Sequence, residues 1–222
     1  MSESTSVLYR IIQERRSIRR FDGSSIPPEI LHRILGAATM APSAHNRQPW
    51  RFVILTTLED KQSLAKTLGG RLRQDRLADG DAPSQIEDDV AQSIARISNA
   101  PAVVIGCLSM EAMDVYPDER RRRAEYIMAV QSVSMAVQNL LLTAHAEGLG
   151  ACWMCAPLFA KDLVQKELNL PDGWEPQGLI ILGYPAEAGH ERPRRPFGEV
   201  TLWHWRSLHS LEERVERNSS TA

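Results

Sequence analysis

Hydrophobic and polar positions follow two periods along the chain, and the switches between them mark out its elements. Residues 7–13 are predicted to open the fold as a short helix. A second helix starts after Pro27-Pro28-Glu29, where proline is pre-set for a first helical turn, and puts Ile30, Leu31, Ile34, Leu35 and Ala38 on its core face. Ala41-Pro42-Ser43 breaks it, and a polar loop runs to Pro49. Residues 51–55 read as a strand, and residues 58–68 as a helix stopping at Gly69-Gly70, a natural C-terminal signal. Residues 71–99 read least clearly. They contain Gly80, Pro83 and mixed charge, with a weak helical period from Ile86 to Ile97, and an excursion or lid over a site is expected there.

Residues 102–108 form a clear apolar strand. A long helix follows, with Ile127, Val130, Val133, Val137, Leu140, Leu141 and Ala144 at helical spacing, ending at Glu147-Gly148-Leu149-Gly150. A short strand over 151–154, a surface helix over 158–168 and a strong strand over 178–184 come next. The remainder is polar and proline-rich, with a late strand expected at 200–205 and a polar tail from 206 to 222. No repeat, low-complexity tract or linker interrupts residues 1–222, which read as one α+β domain.

Composition narrows the function classes. The 222 residues are 43% apolar and 24% charged, ordinary for a globular fold. A net charge of -2 gives no global field to draw in nucleic acid or an anionic membrane, so any anion site must be a local arginine cluster. Three cysteines do not make a disulfide framework, and with no secretory signal visible at the N-terminus a cytoplasmic protein is expected. Residues 126–144 carry no charge and approach membrane-span length, but Gln131, Ser132, Ser134, Gln138, Asn139 and Thr143 point to a helix buried inside a protein or dimer.

The common nucleotide, phosphate and hydrolase fingerprints are absent. Gly148-Leu149-Gly150 lacks a third glycine and follows a helix, which does not support a dinucleotide fold. Cys152 and Cys155 form a CxxC that reads as a redox dithiol or half a zinc site. Zinc wants four ligands and Cys107 is the one other cysteine, while strand alternation splays the pair apart, so neither a metal nor a redox role is expected.

Two segments carry chemistry. Arg15, Arg16 and Arg19 flank Ser17 and offer rigid forks and a hydroxyl to a doubly charged phosphate, although such a run alone is usually a solvated basic patch. The loop from Ala41 to Trp50 holds Ser43, Asn46 and Gln48 between two prolines. Side-chain amides both donate and accept, which suits a ring edge that alternates the two, as the pyrimidine edge of an isoalloxazine does; a polar capping loop is the plainer reading.

Taken in order, RRSIRRF (15–21), APSAHNRQPWRF (41–52), GLGACWM (148–154) and GLIILGYP (178–185) resemble the nitroreductase family of FMN enzymes. The resemblance spans residues 10 to 196. It implies an α/β sandwich with a central mixed, mainly antiparallel sheet flanked by helices, assembled as a homodimer with swapped tails. Two FMN molecules would lie in clefts touched by both chains. Carried over by motif, Arg15, Arg16, Ser17 and Arg19 would bind the FMN phosphate, ribityl chain and ring edge. Ser43, Asn46 and Gln48 would line the flavin site from the partner chain. Trp153, Met154 and Cys155 would form the turn whose backbone approaches the reactive ring, and Arg194, within the run 192–196, would close on the phosphate.

Such enzymes need no side-chain acid or nucleophile, so no catalytic residue is named; His45 suits a structural or a ring-edge role equally. The expected activity passes reducing equivalents from a donor, NAD(P)H, through FMN to a conjugated small-molecule acceptor. The run Gly148 to Trp153, with Phe159, Leu163, Trp174 and Gly178, is similar to the reductase domain of deazaflavin-coenzyme biosynthesis, which implies a dehydro-deazaflavin precursor as acceptor. Arg71, Arg73 and Arg76, with Arg120 to Arg123, would suit an anionic partner or form a solvated helix entry. A general nitroaromatic or quinone reductase, an oxygen-dependent flavin-cleaving enzyme and a non-catalytic flavin-binding protein are the other readings.

Overall fold

The computed structural model describes residues 3–204. Four strands form one antiparallel sheet in the order β1-β2-β4-β3: β1 (Trp50–Leu55), β2 (Ala102–Ser109), β3 (Gly150–Met154) and β4 (Trp174–Gly183). Side chains alternate across it. Val104, Leu108, Ile180 and Leu182 enter one core, and Val103, Ile105, Leu179 and Ile181 the other. Because both faces are covered, β2 and the second half of β4, residues 178–183, carry no charged side chain and are buried throughout.

The first face carries α2 (Pro28–Ala38) and the long α5 (Glu119–Ala146); α1 (Glu3–Glu14) packs on α5. The second carries α3 (Leu58–Ala78), α4 (Pro83–Ser98) against α3, and α6 (Lys161–Glu167). Although α5 is long and apolar enough to cross a membrane, Ala129, Val133, Ala136, Val137, Leu140 and Ala144 face the sheet and are buried. Its opposite face exposes Ile127, Gln131, Ser134, Met135 and Gln138, uncharged side chains on a helix with a packed back.

Strand β3 is flanked on its outer side by residues 17 and 18, and residues 21 and 22 run on to pair with the chain just after β4. Ser17 forms a parallel bridge with Ala151, the Ile18 N–H donates to the Ala151 carbonyl at 3.1 Å, and the Asp22 N–H donates to the Tyr184 carbonyl at 3.0 Å. That bridge is the one parallel pairing among the described residues; the four strands themselves are all antiparallel.

Several elements differ from the sequence reading. The helix expected to stop at Gly69-Gly70 runs on to Ala78, because Gly69 is a packing glycine: a Cβ there would meet Ile94 at 2.9 Å and Val90 at 3.3 Å. Its true stop is Asp79-Gly80, with Gly80 at φ +81. Residues 71–99, the least legible in sequence, form the end of α3, a short turn over 79–82 and all of α4. This hairpin is cross-linked by Arg73–Glu87 and by Arg76 with both Asp81 and Asp89. The single helix expected at 158–168 is split into a turn, Ala156–Phe159, and α6, because Ala160 takes a non-helical φ of -146.

Residues up to His190 form one compact unit and Glu191 onward a second. In the second, Phe197–Glu199 makes a single helical turn and Phe197 meets Trp203 edge-on. Residues 200–204 form no strand, unlike the expectation for 200–205; Trp205 and the tail 206–222 lie outside the described residues.

Candidate active site

The arginine segment is held against β3 by close packing. A Cβ on Gly150 would fall 2.6 Å from the Ile18 Cβ, and one on Gly189 would fall 2.2 Å from the Arg16 Cβ. Ile18 is buried while Ser17 and Arg19 on either side are exposed, the alternation of an extended strand. This splits the segment between two cavities. Arg15 and Arg16 line a cavity of about 230 Å³ with His145, Gly148 and Gly150. Ser17 and Arg19 line a cleft of about 530 Å³. Both reach Glu187 and Gly189, so the two adjoin.

The other wall of the larger cleft is α4, through Gln92, Arg96 and Asn99. Sequence reasoning missed these three. Their spacing is one helical face, and it would have been visible had residues 83–98 been read as a helix. Charge sets Arg96 apart. Arg71 pairs with Asp75 at 2.8 Å and Arg73 with Glu87 at 2.6 Å, and Arg20 in the cleft reaches Glu187 at 3.5 Å. Arg19 and the half-buried Arg96 have no carboxylate partner among the described residues. Two unbalanced guanidinium groups on one cleft select an anion or a ring edge rich in acceptors.

The loop holding Ser43, Asn46 and Gln48 lies elsewhere. It leads into β1, whereas residues 15–19 run along β3, and these are the two edges of the sheet. Three inter-strand spacings of about 4.8 Å separate the edges by roughly 14 Å. One chain therefore does not bring Ser43, Asn46 and Gln48 to Ser17 and Arg19. The loop is strained: His45, Asn46 and Gln48 have φ of 49, 55 and 50, a region that costs a residue with a Cβ about 1 kcal/mol or more. Local bonds hold it. Ser43 Oγ accepts the Gln48 N–H at 3.0 Å, the Asn46 N–H donates to the Ser43 carbonyl at 3.0 Å, and the Ala44 N–H reaches the buried Ser132 Oγ at 3.4 Å. The Asn46 and Gln48 side chains are left exposed, with a single 3.3 Å bond between them.

Trp153 and Met154 end β3, and Cys155 follows in the turn. The Trp153 indole fills the notch left by Gly178, where a Cβ would stand 2.6 Å from Nε1. That Nε1 is buried without a hydrogen-bond partner among the described residues. Cys107 and Cys152 are buried, Cys155 is exposed, and all three are free thiols. Burial, then the Glu175 carboxylate, push the Cys107 thiol up to about 12, which keeps it protonated and inert. No cluster of metal-ligating side chains occurs among the described residues. Arg194 belongs to the second unit, where its guanidinium donates to the Arg192 carbonyl at 3.0 Å.

A second polar group sits where β4 extends beyond the end of β3. One oxygen of Glu175 accepts from Tyr126 at 2.5 Å, from Gln177 at 3.0 Å and from Lys161. Burial alone would raise the Glu175 carboxyl, but these donors outweigh it and hold the group below its ordinary range. Burial would lower Lys161, yet its bonds to Glu175 and Tyr126 raise it. The network ties α5, α6 and β4 together.

The comparisons with known proteins converge. The model of the nitroreductase family matches residues 12–184, most of the chain. This chain belongs to the nitroreductase family. That match includes the arginine segment, the strained loop and the turn at Cys155, and ends before Arg194. An NADH dehydrogenase from Thermus thermophilus is 29% identical to this nitroreductase-family chain over 214 residues, 86% of this chain and 92% of the relative. An iodotyrosine deiodinase from Haliscomenobacter hydrossis is 29% identical over 196 residues, 84% of this chain and 83% of the relative. The FMN complex of a nitroreductase-like protein from Desulfovibrio desulfuricans superposes with a TM-score of 0.68 at 27% identity, covering 89% of this chain and 96% of the other. The FMN-dependent nitroreductase of Mycobacterium smegmatis, solved with NADPH, shares the fold with a TM-score of 0.72 at 20% identity, covering 91% and 100%.

Proposed function

We propose that this oxidoreductase holds FMN between two copies of the chain and passes reducing equivalents from NAD(P)H to a conjugated organic acceptor. The observation that carries the reading is the pair of unbalanced guanidinium groups, Arg19 and Arg96, facing one cleft. The cleft volume, about 530 Å³, suits a cofactor-sized ligand, whose pockets run roughly 300–1,000 Å³. Bound FMN supplies the electron exchange, and the chain supplies placement and polarity.

The residues divide by position. Arg15, Arg16 and Ser17 hold the phosphate and ribityl end. Arg19, Gln92 and Arg96 address the pyrimidine edge, where their N–H groups stabilise the negative charge that reduction places on that edge. Trp153, Met154 and Cys155 offer backbone groups to the reactive part of the ring. Asn46 and Gln48, with Ser43 fixing their loop, reach the ring from the second chain. Their strained, exposed conformation and their place at the far sheet edge support this assignment, as does the uncharged outer face of α5, which suits a homodimer contact. The three free thiols fit a cytoplasmic setting.

The test is a visible spectrum of the purified protein, followed by turnover with NADH, NADPH and reduced deazaflavin. The acceptors to compare are nitroaromatics, quinones and a dehydro-deazaflavin precursor. A yellow protein that bleaches with NAD(P)H and recolours with an acceptor is expected. A colourless protein that cannot be reconstituted with FMN would sink the reading. Consumption of FMN itself under oxygen would mark a flavin-cleaving enzyme instead.

A further inference from the structure

A second cavity of about 230 Å³ opens between α3 and the turn that follows Cys155, and α4 lines it as well as the flavin cleft. Its walls are Leu68, Leu72, Ala156 and Phe159, with Ser93 of α4 at its base. Leu68 and Leu72 fall on one face of α3 because that helix continues through Gly69-Gly70 instead of stopping there. Without the extension the cavity would have no outer wall. It touches the main site through chain neighbours: Ala156 follows Cys155, and Ser93 follows Gln92 of the cleft.

The chemistry of the walls restricts what enters. Arg71 is held by both oxygens of Asp75 at 2.8 and 3.0 Å, and Arg76 by Asp81 at 2.6 Å and by Asp89. No guanidinium at the rim is free for an anion, and Asp79, also on the rim, repels one. This is the reverse of the flavin cleft, where Arg19 and Arg96 are unbalanced. A dry apolar cavity of about 150 Å³ accommodates benzene, so this volume fits one or two fused rings. Phe159 is 68% exposed yet lines the cavity, so one ring face is available to a planar guest at little desolvation cost.

We propose that this cavity takes a neutral aromatic substituent of the acceptor and thereby selects among acceptors. The proposal rests on the flavin oxidoreductase reading for its link to turnover, but the cavity can be read without it. Calorimetric titration of the purified protein with 2-naphthol, and with its anionic counterpart 2-naphthoate, measures occupancy directly. Leu72→Trp fills the cavity and Phe159→Ala removes a wall. The expected result is 2-naphthol binding that weakens at least tenfold in Leu72→Trp and at least threefold in Phe159→Ala, with 2-naphthoate bound far more weakly throughout. In turnover, Leu72→Trp is expected to lower the ratio of kcat/KM for 2-phenyl-1,4-benzoquinone over 1,4-benzoquinone by about tenfold, the flavin spectrum being retained. Unchanged naphthol binding and an unchanged ratio in both variants would overturn the proposal while leaving the flavin reading intact, and so would equal binding of the two naphthalenes. A protein that binds 2-naphthol as expected but never takes up FMN would instead defeat the flavin reading.

Discussion

Ile18 occupies the space that a side chain on Gly150 would need: a Cβ there would stand 2.6 Å from the Ile18 Cβ. The whole arginine segment is registered by this contact, since Ile18 is its one buried residue and the Ile18 N–H is bonded to Ala151 next door. Gly150→Ala is therefore expected to push residues 17–19 off β3. Overpacking of this kind costs roughly 1–3 kcal/mol. Differential scanning calorimetry should show a lower Tm, and FMN should dissociate more readily than from the parent protein.

Arg96 was not legible as a site residue, yet it faces the cleft and is the arginine of the α3–α4 hairpin without a carboxylate partner among the described residues. Hydrogen bonds to charged groups contribute about 1.5–3 kcal/mol, so Arg96→Ala should weaken FMN binding by roughly ten- to a hundredfold. Arg96→Lys should restore part of it, and the flavin midpoint potential should fall in the alanine variant. Flavin fluorescence titration and a spectroelectrochemical measurement check the two effects.

If each cleft draws Arg19 from one chain and Gln48 from the other, defects in the two residues should complement. Arg19→Ala and Gln48→Ala homodimers are each expected to bind FMN poorly. After subunit exchange, the mixed dimer has one intact cleft and one doubly defective, so about half the parental stoichiometry should return in the heterodimer fraction. No recovery, with exchange verified by differently tagged chains, would place both residues in the same chain's cleft.

Gln48 holds φ at 50, a region natural for glycine. Gln48→Gly relieves that strain and should raise stability by up to about 1 kcal/mol, while removing a side chain proposed to touch the flavin. Higher Tm of the flavin-free protein together with lower FMN affinity is the expected combination. A fall in both would mean that the 3.3 Å bond from Gln48 to Asn46 outweighs the backbone strain.

The Glu175 network sets a pH window. The folded carboxyl titrates below its ordinary 4.5, so its contribution is present above that value and is lost as pH falls through the lower folded pKa. Lys161 titrates above its ordinary 10.5, so its share is present below 10.5 and lost as pH rises through the folded pKa. Glu175→Gln should lower stability by roughly 1–2 kcal/mol at neutral pH. Its Tm curve should converge with the parental one toward the acid end, which thermal melts between pH 3 and 7 would resolve.

Local pattern was enough for elements whose signal is carried by neighbours in sequence. The α2 face through Leu31, Ile34 and Ala38, the strands β2 and β4 and the long α5 all emerge from periodicity, and the ordered motifs from Arg15 to Pro185 pointed to the family. Gly69-Gly70 misled for a physical reason. A glycine pair looks like a helix stop until Ile94, distant in sequence, is seen to need the space. Beyond it, the mixed charge of residues 83–98 left only a weak helical period, which hid Gln92 and Arg96 on α4.

By itself the sequence determined which residues are chemically able to grip a flavin: arginines flanking Ser17, and amides in a proline-bounded loop. Only the tertiary structure decided how they are shared out. Bonding of Ser17 and Ile18 to Ala151 of β3 sets Arg19 in one cleft with Arg96, while the order β1-β2-β4-β3 sends Asn46 and Gln48 to the far edge. The reason is that side-chain type is a local property of the chain, whereas strand order and helix packing are settled by which apolar faces can be buried together.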